Sequence, residues 1–320
     1  MKNGNFTRRE LLLASGAVSL AAAVPLSLAA ARLAGAEQPS SRDNPLKSAV
    51  ALSPLKPPAS GSIPVAFVIS KGAVVIDFAG PWEVFEGASI PGRGMMDRAF
   101  EVYTVAETLE AITASGGMKI VPNYTFQNAP QPKVIVIPAQ DDSPEPMLNW
   151  IRKATQNSDV TMSVCTGAFV LAATGLLNGK AATTHHSAYS GLAMQFPDIH
   201  VKRGARFIEE GNLATSGGLT SGMDLALRVV GRYFGAEAIG ETAFQLEYQG
   251  QGQGWMDAKS NSIFAVKSAG DICPVCWMKV DRKIAPSEVY KGQTYYFCMK
   301  KHEVAFDAKP DKYIEALSKQ

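Results

Sequence analysis

Four short stretches of the chain are apolar without alternation: Val65–Ile69, Phe100–Val105, Val134–Ile137 and Val160–Val164. Strands of that kind are buried on both faces, which points to a parallel sheet covered by helices. Helical patterns fall between them, over Trp82–Ala88, Pro146–Thr155, Gly167–Thr174 and Gly222–Phe234. The alternation of strand and helix predicts an α/β domain, and ligands of such sheets bind at the carboxyl ends of the strands. This module runs from residue 63 to residue 255, with no internal repeat.

The fourth strand ends at Cys165, and a small, helix-favouring run begins directly after it. That reads as strand, sharp turn and helix with a thiol at the turn. The N–H groups and dipole of a helix N-terminus favour thiolate over thiol, and thiolate is the nucleophilic form. Three further segments converge on the same sheet edge. Asp77 precedes a Gly80-Pro81 helix start and offers a carboxylate. Pro138-Ala-Gln140 offers backbone N–H groups for an oxyanion. His185 and His186 follow the helix after Cys165. Taken singly, Cys165 also fits a buried structural thiol, Asp77 a helix cap and His185 a hydrogen-bonded core histidine.

The N-terminus differs in kind. Arg8-Arg9 precedes an apolar, Ala-rich stretch over Leu11–Ala31, and Ala34-Gly-Ala36 is a small-residue cleavage site. Residues 1–36 therefore read as a twin-arginine export signal and predict a periplasmic protein, an uncleaved N-terminal anchor being the alternative. Residues 37–62 are rich in Pro, Ser and Ala and read as a linker or poorly ordered arm. Removing residues 1–36 takes four of the 31 basic and one of the 29 acidic residues, so the net charge moves from +2 to about −1. Such a balance, without blocks of like charge, gives no sign of a nucleic-acid partner.

After a second linker at 256–270, residues 271–320 carry a different pattern. Cys273-x2-Cys276 is followed, after 21 intervening residues, by Cys298-x3-His302. Two close pairs of soft or borderline ligands suit a tetrahedral metal. Tyr290–Phe297 reads as a β-hairpin with a Lys291-Gly292 turn that delivers Cys298, with His302 one helical turn on. Three sulfurs and one nitrogen favour Zn²⁺, with Cu⁺ as the rival; Met278 and Met299 lie nearby but read better as core filler. A Cys273–Cys276 disulfide is the other reading of the first pair.

The motifs Asp77–Phe85, Val164-Cys-Thr-Gly-Ala-Phe169, Gly175–His185 and Thr215–Ala226 together resemble the PfpI/ThiJ superfamily, related to class I glutamine amidotransferases. The closer subgroup holds isonitrile hydratases and the sensor domains of AraC-type regulators. The resemblance implies a flavodoxin-like parallel sheet sandwiched by helices, with Cys165 as nucleophile, Asp77 hydrogen-bonded to it and His185 nearby. Peptidase-like members carry His directly after the Cys. Thr166 stands there instead, as in isonitrile hydratases, which implies thiolate attack on an isonitrile carbon, with Asp77 as proton shuttle and Thr166 orienting substrate or water. A homodimer through the α/β domain is compatible with this reading. Residues 271–315 resemble the YHS family of small metal-binding domains, with Cys273 replacing the usual Asp and His302 the usual second Cys. The expectation is an exported cysteine-dependent lyase or hydrolase acting on a small electrophile, with an appended metal module. The alternative is a non-catalytic periplasmic protein that binds or senses a metal or small ligand.

Overall fold

The computed structural model of the chain describes residues 53–92, 94, 97–248, 272–276 and 280–318. The expected export signal at 1–36 and the expected linker at 256–270 lie outside the described residues. Among those described, no helix is long and apolar enough to cross a membrane. Residues 53–62 are irregular, yet their start is anchored: Leu55 N donates to Arg232 O at 2.7 Å and Arg232 Nε to Ser53 O at 3.0 Å. The described end of the expected loose arm is thus tied to the domain.

The α/β domain begins with β1 (Ile63–Val68), α1 (Val75–Glu86) and β2 (Phe100–Ala106). The short strands β3 (Ile112–Thr113), β4 (Lys119–Ile120) and β5 (Tyr124–Thr125) precede β6 (Val134–Ile137). Then come α2 (Glu145–Thr155), β7 (Val160–Ser163), α3 (Gly167–Ala173), β8 (Ala181–Ala182), α4 (Tyr189–Gln195) and β9 (His200–Val201). The hairpin β10 (Phe207–Glu210) and β11 (Leu213–Ser216) leads to α5 (Ser221–Phe234) and α6 (Ala236–Gln245). Seven strands form one sheet in the order β10-β11-β7-β6-β1-β2-β5, parallel throughout except for β10 at one edge. The helix-covered parallel sheet expected from the strand pattern, and the flavodoxin-like fold that the resemblance implies, are present.

The unbroken apolar strands have a simple cause. In β1, Val65 and Phe67 enter one core beneath α1 and α5, while Ala66 and Val68 enter the other with Met147, Ile151 and Leu171 of α2 and α3. In β6, Val134 and Val136 join the first core, Ile135 and Ile137 the second. Each strand needs apolar side chains on both faces, so period-two alternation disappears.

The helix after β1 departs from expectation. It starts at Val75, not at Trp82, so Gly80 and Pro81 lie inside it. Proline removes one helical N–H and glycine weakens propensity, which hid the first turns in the sequence. Packing overrides both: a Cβ on Gly80 would lie 2.9 Å from Met223 of α5, so the absence of a side chain lets the two helices approach closely.

The C-terminal module holds β12 (Ser287–Tyr290) and β13 (Gln293–Tyr296), an antiparallel pair, then α7 (Lys300–Ala308) and α8 (Pro310–Ser318). Lys291 and Gly292 take φ of 49° and 79°, the left-handed pair that a tight two-residue hairpin turn requires. Phe297 and Phe306 are fully buried and pack at 5.2 Å between ring centroids, with Tyr290, Tyr295 and Tyr313 around Phe306. So small a core is marginal by itself.

Candidate active site and candidate metal centre

Cys165 sits on the turn between β7 and α3 with φ of 59°, a conformation that costs a non-glycine residue free energy and that tertiary contacts must hold. Its N–H donates to Gly217 O at 2.9 Å, and its carbonyl accepts from Thr184 Oγ1 at 2.9 Å. Gly167 explains the small residue after Cys-Thr. A Cβ there would stand 2.2 Å from Ile137 O, so α3 starts hard against the end of β6. The expected strand-turn-helix elbow is therefore present, with Cys165 nearly buried at 8 % exposure.

Asp77 occupies the first turn of α1 and is fully buried. Its Oδ2 accepts from Ala139 N at 3.2 Å. Its Oδ1 is buried without a short-range hydrogen-bond partner, and the Cys165 thiol and the Leu219 N–H act on the carboxyl from further out. Burial pushes Asp77 up to about 6, against the Ala139, Cys165 and Leu219 donors. Asp77 is thus neither an exposed helix cap nor a residue preceding the helix. The expected oxyanion role for the segment 138–140 changes too, because the Ala139 N–H is spent on Asp77.

The sequence reading expected a thiolate, and the structure reverses it. Burial first, and the Asp77 charge second, push Cys165 up to about 11. The N–H and hydroxyl of Thr166 and the N–H of Leu219 work in the opposite direction. At neutral pH the Cys165 proton stays on sulfur, beside a carboxylate able to take it. Thr166 is brought to the site as expected, with its hydroxyl directed at the sulfur.

His185 lies close by but is engaged elsewhere. Ser187 N donates to its Nδ1 at 3.3 Å, and Ser187 Oγ lies 2.8 Å away. An Nδ1 that accepts leaves the ring proton on Nε2, and burial lowers the pKa, so the ring is neutral. The ring packs against Gly218, where a Cβ would fall 2.3 Å from Cδ2. His185 thus buttresses the Gly217–Leu219 loop. Leu219, with φ of 53°, is the site residue that composition concealed: its contribution is a backbone N–H, and its strained φ marks it only in the structure.

Asp224, inside the Thr215–Ala226 motif, is fully buried, pairs with Arg206 and accepts from Tyr248 OH at 3.0 Å. It ties α5 to the segment before β10 and so fixes the loop that carries Leu219.

In the C-terminal module Cys273, Cys276, Cys298 and His302 bring their ligand atoms within 4.8 Å of one another. Cys276 Sγ lies 3.3 Å from Cys298 Sγ, and His302 Nδ1 lies 3.1 Å from Cys298 Sγ and 3.6 Å from Cys273 Sγ. A tetrahedral ion about 2.3 Å from sulfur and about 2.0 Å from nitrogen spaces its ligands about 3.4–3.8 Å apart, so the set fits with small adjustments. Cys273 is drawn toward thiolate by a hydrogen bond from Cys276, against its burial, with help from the N–H groups of Cys298, Cys276 and Val275. All four cysteines are free thiols, so the Cys273–Cys276 disulfide is not formed.

Residues 64–232 match the DJ-1/PfpI family. The chain belongs to this family. It is 34 % identical over 194 residues to an isonitrile hydratase from Pseudomonas putida, covering 58 % of this chain and 79 % of the hydratase. It is 24 % identical over 178 residues to the HTH-type transcriptional regulator GbdR from Pseudomonas aeruginosa, covering 54 % of this chain and 47 % of the regulator. A ThiJ/PfpI family protein from Pseudomonas syringae superposes with a TM-score of 0.52 at 28 % identity, covering 59 % of this chain and 76 % of that one. The fold and the superfamily expected from the Cys165 and Asp77 motifs are thus established.

Proposed function

We propose that the α/β domain is a cysteine-dependent enzyme that hydrates isonitriles or related small electrophiles. The observation that carries the reading is the buried Asp77 carboxylate facing a protonated Cys165, with Thr166 and Leu219 donating toward the sulfur. The similarity to the Pseudomonas putida isonitrile hydratase supports the substrate class.

The step follows from those groups. Cys165 Sγ forms a bond to the terminal isonitrile carbon as its proton passes to Asp77. Asp77 returns that proton to the same carbon, giving an S-linked thioimidate. Water then adds to the carbon, Asp77 relaying its proton to nitrogen, and the C–S bond breaks with the proton of the new hydroxyl returned to sulfur. An N-substituted formamide leaves, and one water is consumed for each isonitrile. The Leu219 N–H and the Thr166 hydroxyl stabilise negative charge on sulfur as it is displaced.

In this reading the Cys273, Cys276, Cys298 and His302 set holds Zn²⁺, or Cu⁺ as the rival. All four positions come from protein, so the ion supplies folding free energy to a YHS-like module and not a catalytic centre. Export by the twin-arginine route, with the signal in residues 1–36, and a homodimer through the α/β domain complete the proposal.

A second reading is a sensor that binds a small ligand without turnover; the likeness to GbdR favours it. Incubation of the protein with isonitriles and small amides, beside Cys165→Ser, separates the two. Formamide production lost in Cys165→Ser supports the enzyme. Saturable binding with no product supports the sensor.

A further inference from the structure

Among the described residues, the C-terminal module meets the α/β domain at the turn between Cys273 and Cys276. Ser190, the second residue of α4, donates from Oγ to the carbonyl of Val275. Val275 lies between Cys273 and Cys276, so the contact falls on the turn that presents two of the sulfur ligands. Arg203 reaches the same place from the loop after β9. Its Nη2 lies 3.5 Å from Ser190 Oγ, its guanidinium stands 5.9 Å from the Tyr189 ring centroid, and its Nη1 is shielded from solvent. Tyr189 is buried and fixes the loop further by accepting from Gly204 N at 3.0 Å.

The electrostatics give this contact a direction. Three thiolates and a neutral imidazole around a divalent ion leave a net charge of about −1, and around a monovalent ion about −2. Cys273 is fully buried and Cys276 nearly so, and a buried net charge is costly unless a counter-charge stands near it. Lys300, two residues beyond Cys298, is held by Glu303 at 2.7 Å. Burial pulls Arg203 down to about 10, against the charges of Tyr189 and then Cys276, so the guanidinium stays charged at neutral pH. A half-buried cation of the α/β domain thus faces the ligand turn.

We propose that Arg203 is the outer-shell counter-ion of the Cys273–Cys276–Cys298–His302 centre, so that metal binding clamps the C-terminal module onto Tyr189, Ser190 and Arg203 of the α/β domain. The inference rests on the metal reading of that cluster. It adds that the site is completed across two modules. The segment from Thr184 to Ser190 then joins two sites, since Thr184 holds the Cys165 carbonyl and Ser190 holds the ligand turn.

The test uses the full chain, Zn²⁺ as the probe, and three proteins: wild type, Arg203→Met and Arg203→Lys. Zinc affinity is read by competition with a chromophoric chelator. Hydrogen exchange over residues 186–204 is read with and without zinc. Arg203→Met is expected to weaken zinc binding about 10- to 100-fold, the usual effect of losing an outer-shell partner. Arg203→Lys is expected to keep most of the affinity, because it keeps the charge. Zinc is expected to slow exchange over 186–204 in the wild type, a measurement that needs no variant to fold. Equal zinc affinity in Arg203→Met, or exchange over 186–204 that ignores zinc in the wild type, overturns the proposal. A wild type that takes up no zinc at all defeats the metal reading beneath it, which is a separate and recognisable outcome.

Discussion

Burial first, and the Asp77 carboxylate second, push the Cys165 thiol up to about 11, while burial lifts Asp77 only to about 6 against donors that include that thiol, so the proton of the pair rests on sulfur at neutral pH. This relationship differs from that of a resting thiolate at a helix N-terminus. In the proposed reaction the nucleophile is made when it is used, by transfer of its proton to the carboxylate buried beside it.

Asp77 carries a cost in stability. Its folded pKa of about 6 lies above the ordinary 3.8, so the folded state holds the proton more tightly. Its contribution is most favourable below pH 3.8 and is lost as pH rises toward 6, a penalty of about 3 kcal/mol at pH 7. Asp77→Asn should therefore be more stable than wild type at pH 7, and the difference should shrink on acidification from pH 6 to pH 4. Denaturant melts of both proteins across that range measure it.

In the proposed hydration the same titration should set the activity. The base form of Asp77 is required, so kcat/KM should rise with pH through about 6 and then level off. A profile flat from pH 5 to pH 8 would show that Asp77 is not the base.

Much of this was legible in the sequence. The strands around Val65 and Val134 declared a doubly covered sheet, and the step from strand to small residues at Cys165 declared the elbow. Asp77 was legible as a participant but not in its position, because Gly80 and Pro81 hid the helix that buries it. Leu219 was illegible, since a backbone N–H carries no side-chain signature. The direction of the Cys165 shift is not legible in the sequence, because burial and a neighbouring charge, which arise only in three dimensions, outweigh the helix N-terminus. The hairpin β10–β11 was also missed, its glutamates masking an edge strand.

Thr166 and Gly167 give separate predictions. Thr166→Val removes a hydroxyl that favours charge on Cys165, so turnover should fall about tenfold, with Thr166→Ser largely restoring it. Gly167→Ala forces a methyl against Ile137 O and should cost several kcal/mol or prevent folding, which thermal melting or loss of soluble protein would report.

Metal removal should act on the C-terminal module and on the 186–204 segment it touches. The core around Phe297 and Phe306 is small, so chelation should loosen residues 272–318 while the seven-stranded sheet stays folded. Hydrogen exchange before and after chelator resolves the two regions. Uniform protection in both conditions would mean that the module does not depend on a metal.

The central claim is that Asp77 acts as the base for Cys165, and one paired measurement on Asp77→Asn tests it. In Asp77→Asn burial still holds the proton on Cys165 and no group takes it during attack, so alkylation by iodoacetamide at pH 7 should become slower. Isonitrile hydration by the same variant should fall at least about a hundredfold for the same reason. Slower alkylation with lost turnover is the predicted result. Unchanged alkylation with retained turnover would contradict the account.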